Sequence, residues 1–192
     1  MQFSQQEIKD IAISAAVLAF AFGGIDNFLT ALFVVGVAFI SHEVIGHKFV
    51  AQKLGAFAEY KAWNLGLLLA LVSSFFGFVF AAPGAVYFSE RYKGPFAFTV
   101  HKLGKKEVGM IGLGGPLVNI VLGAIFIAAA LFALPAYYSL LLFAARISFF
   151  LAMFNLLPIP PLDGEKVMSW DIKIWVAAIA LAGAGYVGIG ML

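Results

Sequence analysis

Apolar stretches of membrane-spanning length follow one another along most of the chain. A helix needs about 20 mostly apolar residues to cross a bilayer, and such segments occupy residues 27–50, 110–134, 136–157 and 172–192. A shorter apolar run covers residues 11–24. Charged residues make up only 11% of the chain, whereas an ordinary soluble domain has about 25%. The sequence therefore predicts an all-α polytopic membrane protein.

The segment at 63–88 is also apolar, but serine, glycine and proline residues interrupt it. Both loops that flank it are basic, with three lysines between residues 48 and 61 and five Lys or Arg residues between 90 and 107. Because basic loops favour the cytoplasmic side of a membrane, both ends of the segment should lie on that side. We therefore expect about six transmembrane helices, with a broken, re-entrant or β-hairpin-like element at 63–88. Within it, Gly84–Phe88 alternates enough to form the edge of a sheet, although apolar packing inside the bundle explains the stretch at least as well.

The remaining composition limits the classes of function. A length of 192 residues predicts a single membrane-embedded domain, residues 1–192, in a multi-pass protein of the cell membrane. A net charge of +2 gives no reason to expect nucleic acid as a partner. The chain has no cysteine, which excludes disulfides, thiolate metal ligands and cysteine nucleophiles. The partner that the composition implies is the lipid bilayer.

The second apolar segment contains the sequence "FISHEVIGHKF", in which His42, Glu43 and His47 stand among apolar residues. Ionisable groups at membrane depth are costly and usually functional. In the zinc-protease motif H-E-x-x-H, histidines four apart lie about 40° apart around a helix and bind one metal, beside a glutamate that acts as general base. Here the histidines are five residues apart, which on a regular α-helix separates them by about 140°. A regular helix would therefore not direct both at one zinc ion.

Three local structures would restore a metal site. A π-bulge would narrow the angle between the histidines, and Gly46 would ease that distortion. Alternatively, the helix ends early and His47 bends back. In the third case Glu43 and His47, which are four residues apart, form the ligand pair and His42 is displaced. If neither histidine binds metal, both form hydrogen bonds within the helix bundle.

A catalytic zinc usually has three protein ligands, so a third must come from elsewhere. Asp163 is the best candidate, because prolines stiffen its loop and Gly164 permits a tight turn. It is otherwise a simple turn residue. His101 is a weaker candidate, since it stands among lysines. The basic loops place both the histidines and Asp163 near the cytoplasmic face, where they can meet if 63–88 turns back.

Three motifs in order resemble the signatures of the site-2 protease family of intramembrane zinc metalloproteases. They are "HEVIGH" (His42–His47), "GGPLVN" (Gly114–Asn119) and "NLLPIPPLDG" (Asn155–Gly164), and the short chain looks most like archaeal members. The resemblance covers roughly residues 27–166. The family pattern has two residues between the glutamate and the second histidine, whereas this chain has three. We interpret the difference as a local insertion of one residue.

The resemblance implies roles for six residues. Zinc would be bound by His42, His47 and Asp163, and Glu43 would be the catalytic base. Asn119 and Asn155 would hold substrate or the developing oxyanion, although membrane asparagines also serve helix–helix hydrogen bonding. The implied activity is hydrolysis of peptide bonds in a membrane-anchored protein substrate that must unwind locally, with the active site near the cytoplasmic side.

Two other classes of function remain open at this point. A catalytically inactive pseudoprotease would bind membrane helices without cutting them, and the extra residue between Glu43 and His47 is the reason to consider it. A metal-ion transporter would also place His, Glu and Asp in a membrane, but its polar groups should follow a path through several helices. Here they cluster at one depth, apart from Arg146 in the middle of a span.

Overall fold

A computed structural model describes residues 2–89, 91–93, 98–100 and 103–192. Its α-helices are α1 (Gln5–Gly23), α2 (Phe28–Ile40), α3 (Phe49–Lys53), α4 (Asn64–Ser74), α5 (Lys105–Ala128), α6 (Tyr138–Asn155), α7 (Asp163–Trp170) and α8 (Ile172–Gly188). A π-helix (Ser41–Lys48) joins α2 to α3, and a second π-helical stretch (Ala129–Ala133) extends α5. Short 3₁₀ turns span Pro135–Tyr137 and Ile189–Met191. The strands are β1 (Phe57–Ala62), β2 (Gly84–Ser89), β3 (Arg91–Lys93) and β4 (Phe98–Val100).

Within the described ranges, four continuous helical stretches are long and apolar enough to cross a membrane: Phe28–Lys53, Lys105–Ala133, Pro135–Asn155 and Ile172–Met191. Their bounds lie within a few residues of those expected from hydropathy, and the all-α polytopic class is confirmed. The total of six helices stays a prediction. Helix α1 carries three charged residues near its start, and α4 has 11 residues, which is shorter than a span.

The interrupted segment at 63–88 folds back on itself, as predicted. Helix α4 ends at Ser74, Gly77 adopts a positive φ of 76° in the following turn, and the chain returns as strand β2. The ends of the segment meet where the Trp63 N–H donates to the Pro83 carbonyl at 2.7 Å. Strand β2 pairs antiparallel with β1, with Tyr60 opposite Val86 and Ala62 opposite Gly84. The predicted strand at Gly84–Phe88 is therefore confirmed.

The motif helix contains the distortion that its extra residue demands. The stretch from Ser41 to Lys48 is π-helical, and the N–H of Phe49 bonds the carbonyl of Val44, five residues back. In a π-helix the hydrogen bonds connect residues five apart, so side chains five apart lie over one another. The first of the three predicted local structures, the π-bulge, is therefore the one that forms.

Helix α5 packs against the π-helix, α6, α7 and α8. The closest approach is between glycines, because a Cβ on Gly46 would lie 2.5 Å from the Gly115 nitrogen and 2.7 Å from the Gly114 carbonyl carbon. Such a distance is far shorter than an ordinary van der Waals contact. The Gly114–Gly115 pair thus allows the backbone of α5 to lie directly against the π-helix.

Two expectations about polar segments were wrong. The segment containing "PIPPLDGEK" was predicted to be a loop, but helix α7 begins within it at Asp163, where Asp163 and Glu165 suit the positive end of the helix dipole. Lys48 was assigned to a basic loop, but its side chain is 1% exposed. It contacts both carboxylate oxygens of Glu7, at 2.7 and 2.5 Å, and donates to the Gln2 carbonyl at 2.7 Å.

Candidate metal centre

The two motif histidines converge on one point. Because the π-helix stacks residues five apart, the Nε2 atoms of His42 and His47 lie 3.1 Å from each other. Both side chains are buried, and their rings meet edge to face with centroids 4.7 Å apart. Two imidazole nitrogens this close, buried together, are arranged as ligands of a shared cation.

Asp163 completes the cluster from the first turn of α7. Its Oδ2 lies 3.0 Å from His47 Nε2 and 3.8 Å from His42 Nε2. Ligand atoms bound tetrahedrally to zinc at 2.0–2.1 Å are separated by about 3.3 Å, so the three separations here surround the expected value. The three side chains form a buried group whose ligand atoms all lie within 4.8 Å of one another. The residues present therefore fit a zinc ion with three protein ligands.

The other nitrogen of each ring has its own partner. His47 Nδ1 lies 2.7 Å from the Ile111 carbonyl oxygen, so that nitrogen carries the proton and Nε2 presents its lone pair to the centre. His42 Nδ1 lies 3.0 Å from the side-chain nitrogen of Asn119, whose Oδ1 is buried with no partner. If the oxygen and nitrogen of this amide are exchanged, His42 Nδ1–H donates to Asn119 Oδ1, and the buried oxygen gains a partner. Asn119 is fully buried behind His42 and does not line the cavity beside Glu43.

Glu43 stands beside the histidines without a hydrogen-bond partner of its own. Its Oε2 is buried and unpaired among the described residues, and its side chain lines a cavity together with His47, Asp163 and Asn155. A buried carboxylate oxygen without a partner is rare and calls for a ligand or a chemical role. Asn155 donates its amide to the Leu151 carbonyl at 2.9 Å and also faces the cavity.

Lys166 holds the second oxygen of Asp163. Its Nζ donates to Asp163 Oδ1 at 2.8 Å, which leaves Oδ2 directed at the histidines. Burial alone would raise the pKa of Asp163, but the neighbouring His47 and the Lys166 ammonium hold it well below its usual range. Burial opposes the charge of Lys166 as well, yet Asp163 raises its pKa above the usual value. Asp163 thus remains ionised, as a metal ligand must be.

Three supporting groups were not predicted from the sequence. The Ile111 carbonyl carries no sequence signal, since every residue offers one. Lys166 lies one turn beyond Asp163, and its role was hidden because the segment was taken for a loop. Gly115 was quoted as part of a motif, but its purpose is spatial: a Cβ there would contact His47 Nε2 and would lie 2.6 Å from His42 Nε2.

Strand β2 forms one wall of the cavity, and no described strand pairs with its outer edge. The cavity is lined by residues 84–88 of this strand, and within the described part of the chain the sheet contains only β1 and β2. The outer edge of β1 is closed by α1, because Glu7 accepts from Tyr60 N–H at 3.0 Å and Asp10 accepts from Ala62 N–H at 3.1 Å.

The direction of these two bonds assigns the backbone of β2. In an antiparallel pair, residues whose backbone groups point away from the partner strand stand opposite one another. Tyr60 and Ala62 point away from β2, so Val86 and Gly84, which stand opposite them, point away from β1. By the same alternation Phe88 also points outward. The free edge of β2 therefore offers backbone groups at alternate residues beside the metal centre, and no described residue pairs with them.

A relative among known proteins decides the family. The chain is similar to a protein of Methanocaldococcus jannaschii whose provisional name is zinc metalloprotease MJ0611. The two are 42% identical over an alignment of 192 positions, which covers 96% of this chain and 94% of the relative. The chain belongs to the site-2 protease family of zinc metalloproteases. No family model and no solved structure matches it.

Several other ionisable residues have partners of their own outside this centre. Glu107 caps the start of α5 by accepting from Gly104 N–H at 3.0 Å, and Asp171 caps α8 by accepting from Lys173 N–H at 2.8 Å. Glu165 lies 3.3 Å from the Ser169 hydroxyl on α7. His101 lies outside the described residues. The centre that the structure describes thus consists of His42, His47 and Asp163.

Proposed function

We propose that this protein is an intramembrane zinc metalloprotease that hydrolyses peptide bonds of membrane-anchored protein substrates near the cytoplasmic side of the cell membrane. One observation carries the proposal: three buried ligand atoms from His42, His47 and Asp163 converge beside Glu43, a buried carboxylate with an unpaired oxygen. The close relative with a zinc metalloprotease name supports the same reading. The pseudoprotease alternative is not supported, because the inserted residue is absorbed by the π-helix.

The residues have distinct roles in the proposed mechanism. Zinc held by His42, His47 and Asp163 would supply a Lewis acid that polarises the scissile carbonyl and lowers the pKa of water toward about 7. Glu43 takes a proton from the attacking water and passes it to the leaving amine.

The asparagines divide into a positioning group and a substrate group. We assign Asn119 to the orientation of His42, because its amide lies against the far side of that ring. We assign Asn155 to substrate, because it faces the same cavity as Glu43. An amide donor there reaches a peptide carbonyl or the developing oxyanion. Both assignments keep the asparagines in the site, although only Asn155 retains the role that the family resemblance implies.

Strand addition is the mode by which we propose that substrate is held. A peptide bond inside a helix is shielded, so the substrate must unwind before cleavage. An extended peptide can then pair with the free edge of β2 through the backbone groups of Val86 and Phe88. The carboxylates of α1 close the opposite edge, on β1, so the peptide has one edge to join, and that edge borders the cavity.

The test of the reaction uses purified protein in proteoliposomes with a set of single-span model substrates. We expect cleavage by the zinc-loaded parent, loss on chelation and recovery with zinc. Glu43→Gln should retain zinc but lose cleavage by the 10²–10⁴-fold typical of a general base or more. Bound zinc without any cleavage across the substrate set would contradict the proposal, as would undiminished cleavage by Glu43→Gln.

Strand addition is tested by a matched pair of proline variants. Val86→Pro removes a backbone N–H that points to the free edge, so it should raise KM or abolish cleavage while leaving zinc content unchanged. Tyr87→Pro removes an N–H that points to β1, so it should lower thermal stability instead. Equal cleavage by the parent and Val86→Pro would exclude this mode of binding.

A further inference from the structure

Arg146 occupies a position that the proposed reaction does not explain. It is the ninth residue of the 18-residue helix α6, which is one of the membrane-spanning stretches. At about 1.5 Å per residue it lies about 12 Å from one end of the helix and 13 Å from the other. Its side chain is exposed on the bundle surface rather than buried between helices. An arginine at the middle of a membrane is rare and is normally paired.

No anionic partner reaches Arg146 from the described residues. None of their carboxylates lies within 4.0 Å, and the guanidinium donates no hydrogen bond to them. Among the described residues it makes a cation–π contact with the ring of Tyr186 on α8, whose centroid lies 5.5 Å from the guanidinium carbon. A cation–π contact orients the guanidinium but leaves its donors free. The position thus combines a membrane-depth cation with unused hydrogen-bond donors.

Arg146 lines a cavity of about 390 Å³ on the side of the bundle. Aromatic residues from three elements surround it, including Phe22 of α1, Phe150 of α6 and Tyr186 of α8. A second cavity of about 360 Å³ shares the walls Phe22 and Phe143 and continues toward Asn27 and Ser139. We call the two together the Arg146 groove. It runs along α6 from near the start of that helix to its middle.

The Arg146 groove and the catalytic cavity are neighbours. Phe78 and Val79 line the groove, and the same chain segment continues to Ala82 and Gly84, which line the catalytic cavity. Within this segment Phe80 packs against Phe154 of α6, with ring centroids 5.2 Å apart. A helix lying in the groove would therefore continue along residues 79–84 to the free edge of β2.

From this geometry we propose that the Arg146 groove binds the intact, still helical part of a transmembrane substrate and that Arg146 selects an acidic side chain on it. The inference rests on the proposed function, since it describes how the same substrate is recognised. The charge decides the occupant: a helix that carries an Asp or Glu at this depth supplies the anion that the described residues lack. Arg146 lies nine residues before Asn155, which is about 13 Å along α6. The acidic residue should therefore stand about nine residues from the cleaved bond where the substrate between them is helical, and fewer where it is unwound.

The test measures binding rather than cleavage. The probes are fluorescent single-span helices of about 20 Leu and Ala residues that carry Asp, Asn or Lys at the centre. Their affinity for the zinc-loaded protein is measured in lipid nanodiscs. We expect the parent to bind the Asp probe at least tenfold more tightly than the Asn probe. Arg146→Gln should bind both equally, and Arg146→Glu should prefer the Lys probe.

Matched variants separate this proposal from the reaction. Arg146→Lys should retain a preference for Asp, and Tyr186→Phe should retain it fully, because the ring remains. Glu43→Gln should keep the preference while losing cleavage. All variants should contain as much zinc as the parent, which excludes general unfolding. Moving the Asp by two residues turns it about 200° around the probe helix and should remove the effect.

Two results would overturn the proposal. In one, the parent binds the Asp and Asn probes equally; in the other, the preference for Asp persists in Arg146→Gln. A parent that self-associates through this groove, with Arg146→Gln monomeric and no probe preferred, also overturns it. Cleavage without discrimination among the probes refutes the groove and leaves the protease intact. Discrimination without any cleavage refutes the protease and leaves the groove intact.

Discussion

Gly115→Ala tests whether the centre depends on the close contact between α5 and the π-helix. The added Cβ would lie 2.6 Å from His42 Nε2 and would contact His47 Nε2, so it would intrude on the ligand atoms themselves. Ordinary van der Waals contact begins at 3.4 Å, so the His42 ring must retreat by about 0.8 Å. Zinc–ligand distances tolerate only about 0.2 Å. The required shift is therefore about four times the tolerance.

We expect Gly115→Ala to lower the affinity for zinc by more than the 10–100-fold typical of disturbed supporting residues, because it displaces a ligand itself. Overpacking should also lower stability by about 1–3 kcal/mol. Zinc affinity is measured by competition with a chromophoric chelator, and stability by thermal unfolding in detergent with and without zinc. The matched control is Gly183→Ala on α8, where an added Cβ meets nothing within 4 Å. A Gly115→Ala protein with the zinc affinity of the parent would refute the reasoning.

Three further changes test other features. Lys48→Met leaves Glu7 buried without its cation, so the free energy of unfolding, measured by denaturant titration, should fall by about 3–5 kcal/mol. The double variant Glu7→Gln/Lys48→Met should recover part of this loss. A double variant no more stable than the single one would count against the ion pair. Deletion of Ile45, which is 54% exposed, restores two residues between Glu43 and His47. The motif should then become α-helical and keep its zinc. Loss of zinc in elemental analysis would show that the neighbouring helices cannot keep their register. Lys166→Met leaves Asp163 Oδ1 without its partner, so the zinc affinity, measured by chelator competition, should fall about 10–100-fold. Lys166→Arg should restore it. An unchanged affinity in Lys166→Met would exclude Lys166 as a support of that ligand.

Hydropathy and spacing were sufficient for most of the membrane helices and for the convergence of the motif residues. The π-helix was one of three local structures suggested by one fact, that His42 and His47 are five residues apart, and the spacing alone did not choose among them. The return of the chain at 63–88 followed from basic residues at both ends of an apolar segment. In each case the signal lies within the segment or its immediate flanks.

Contacts between residues that are far apart along the chain were not predicted from the sequence. Lys48 pairs with Glu7, which is 41 residues away, and each alone looks like an ordinary charge beside an apolar stretch. The Ile111 carbonyl that orients His47 comes from another helix, 64 residues away. Helix α7 was missed because the prolines before Asp163 dominate the local pattern. These features depend on which helices pack together, and local spacing does not encode that.

The π-helix has a consequence for how such proteins are found. A metal ion responds to the directions in which side chains point, whereas a motif search counts the residues between them. A π-helical turn is wider than an α-helical one, so it accommodates one more residue while the histidines stay over one another. The usual zinc-protease motif and this longer motif therefore place their side chains in the same arrangement. Motif searches that allow three residues between the glutamate and the second histidine, when a glycine precedes that histidine, would therefore find metalloproteases that the shorter motif misses.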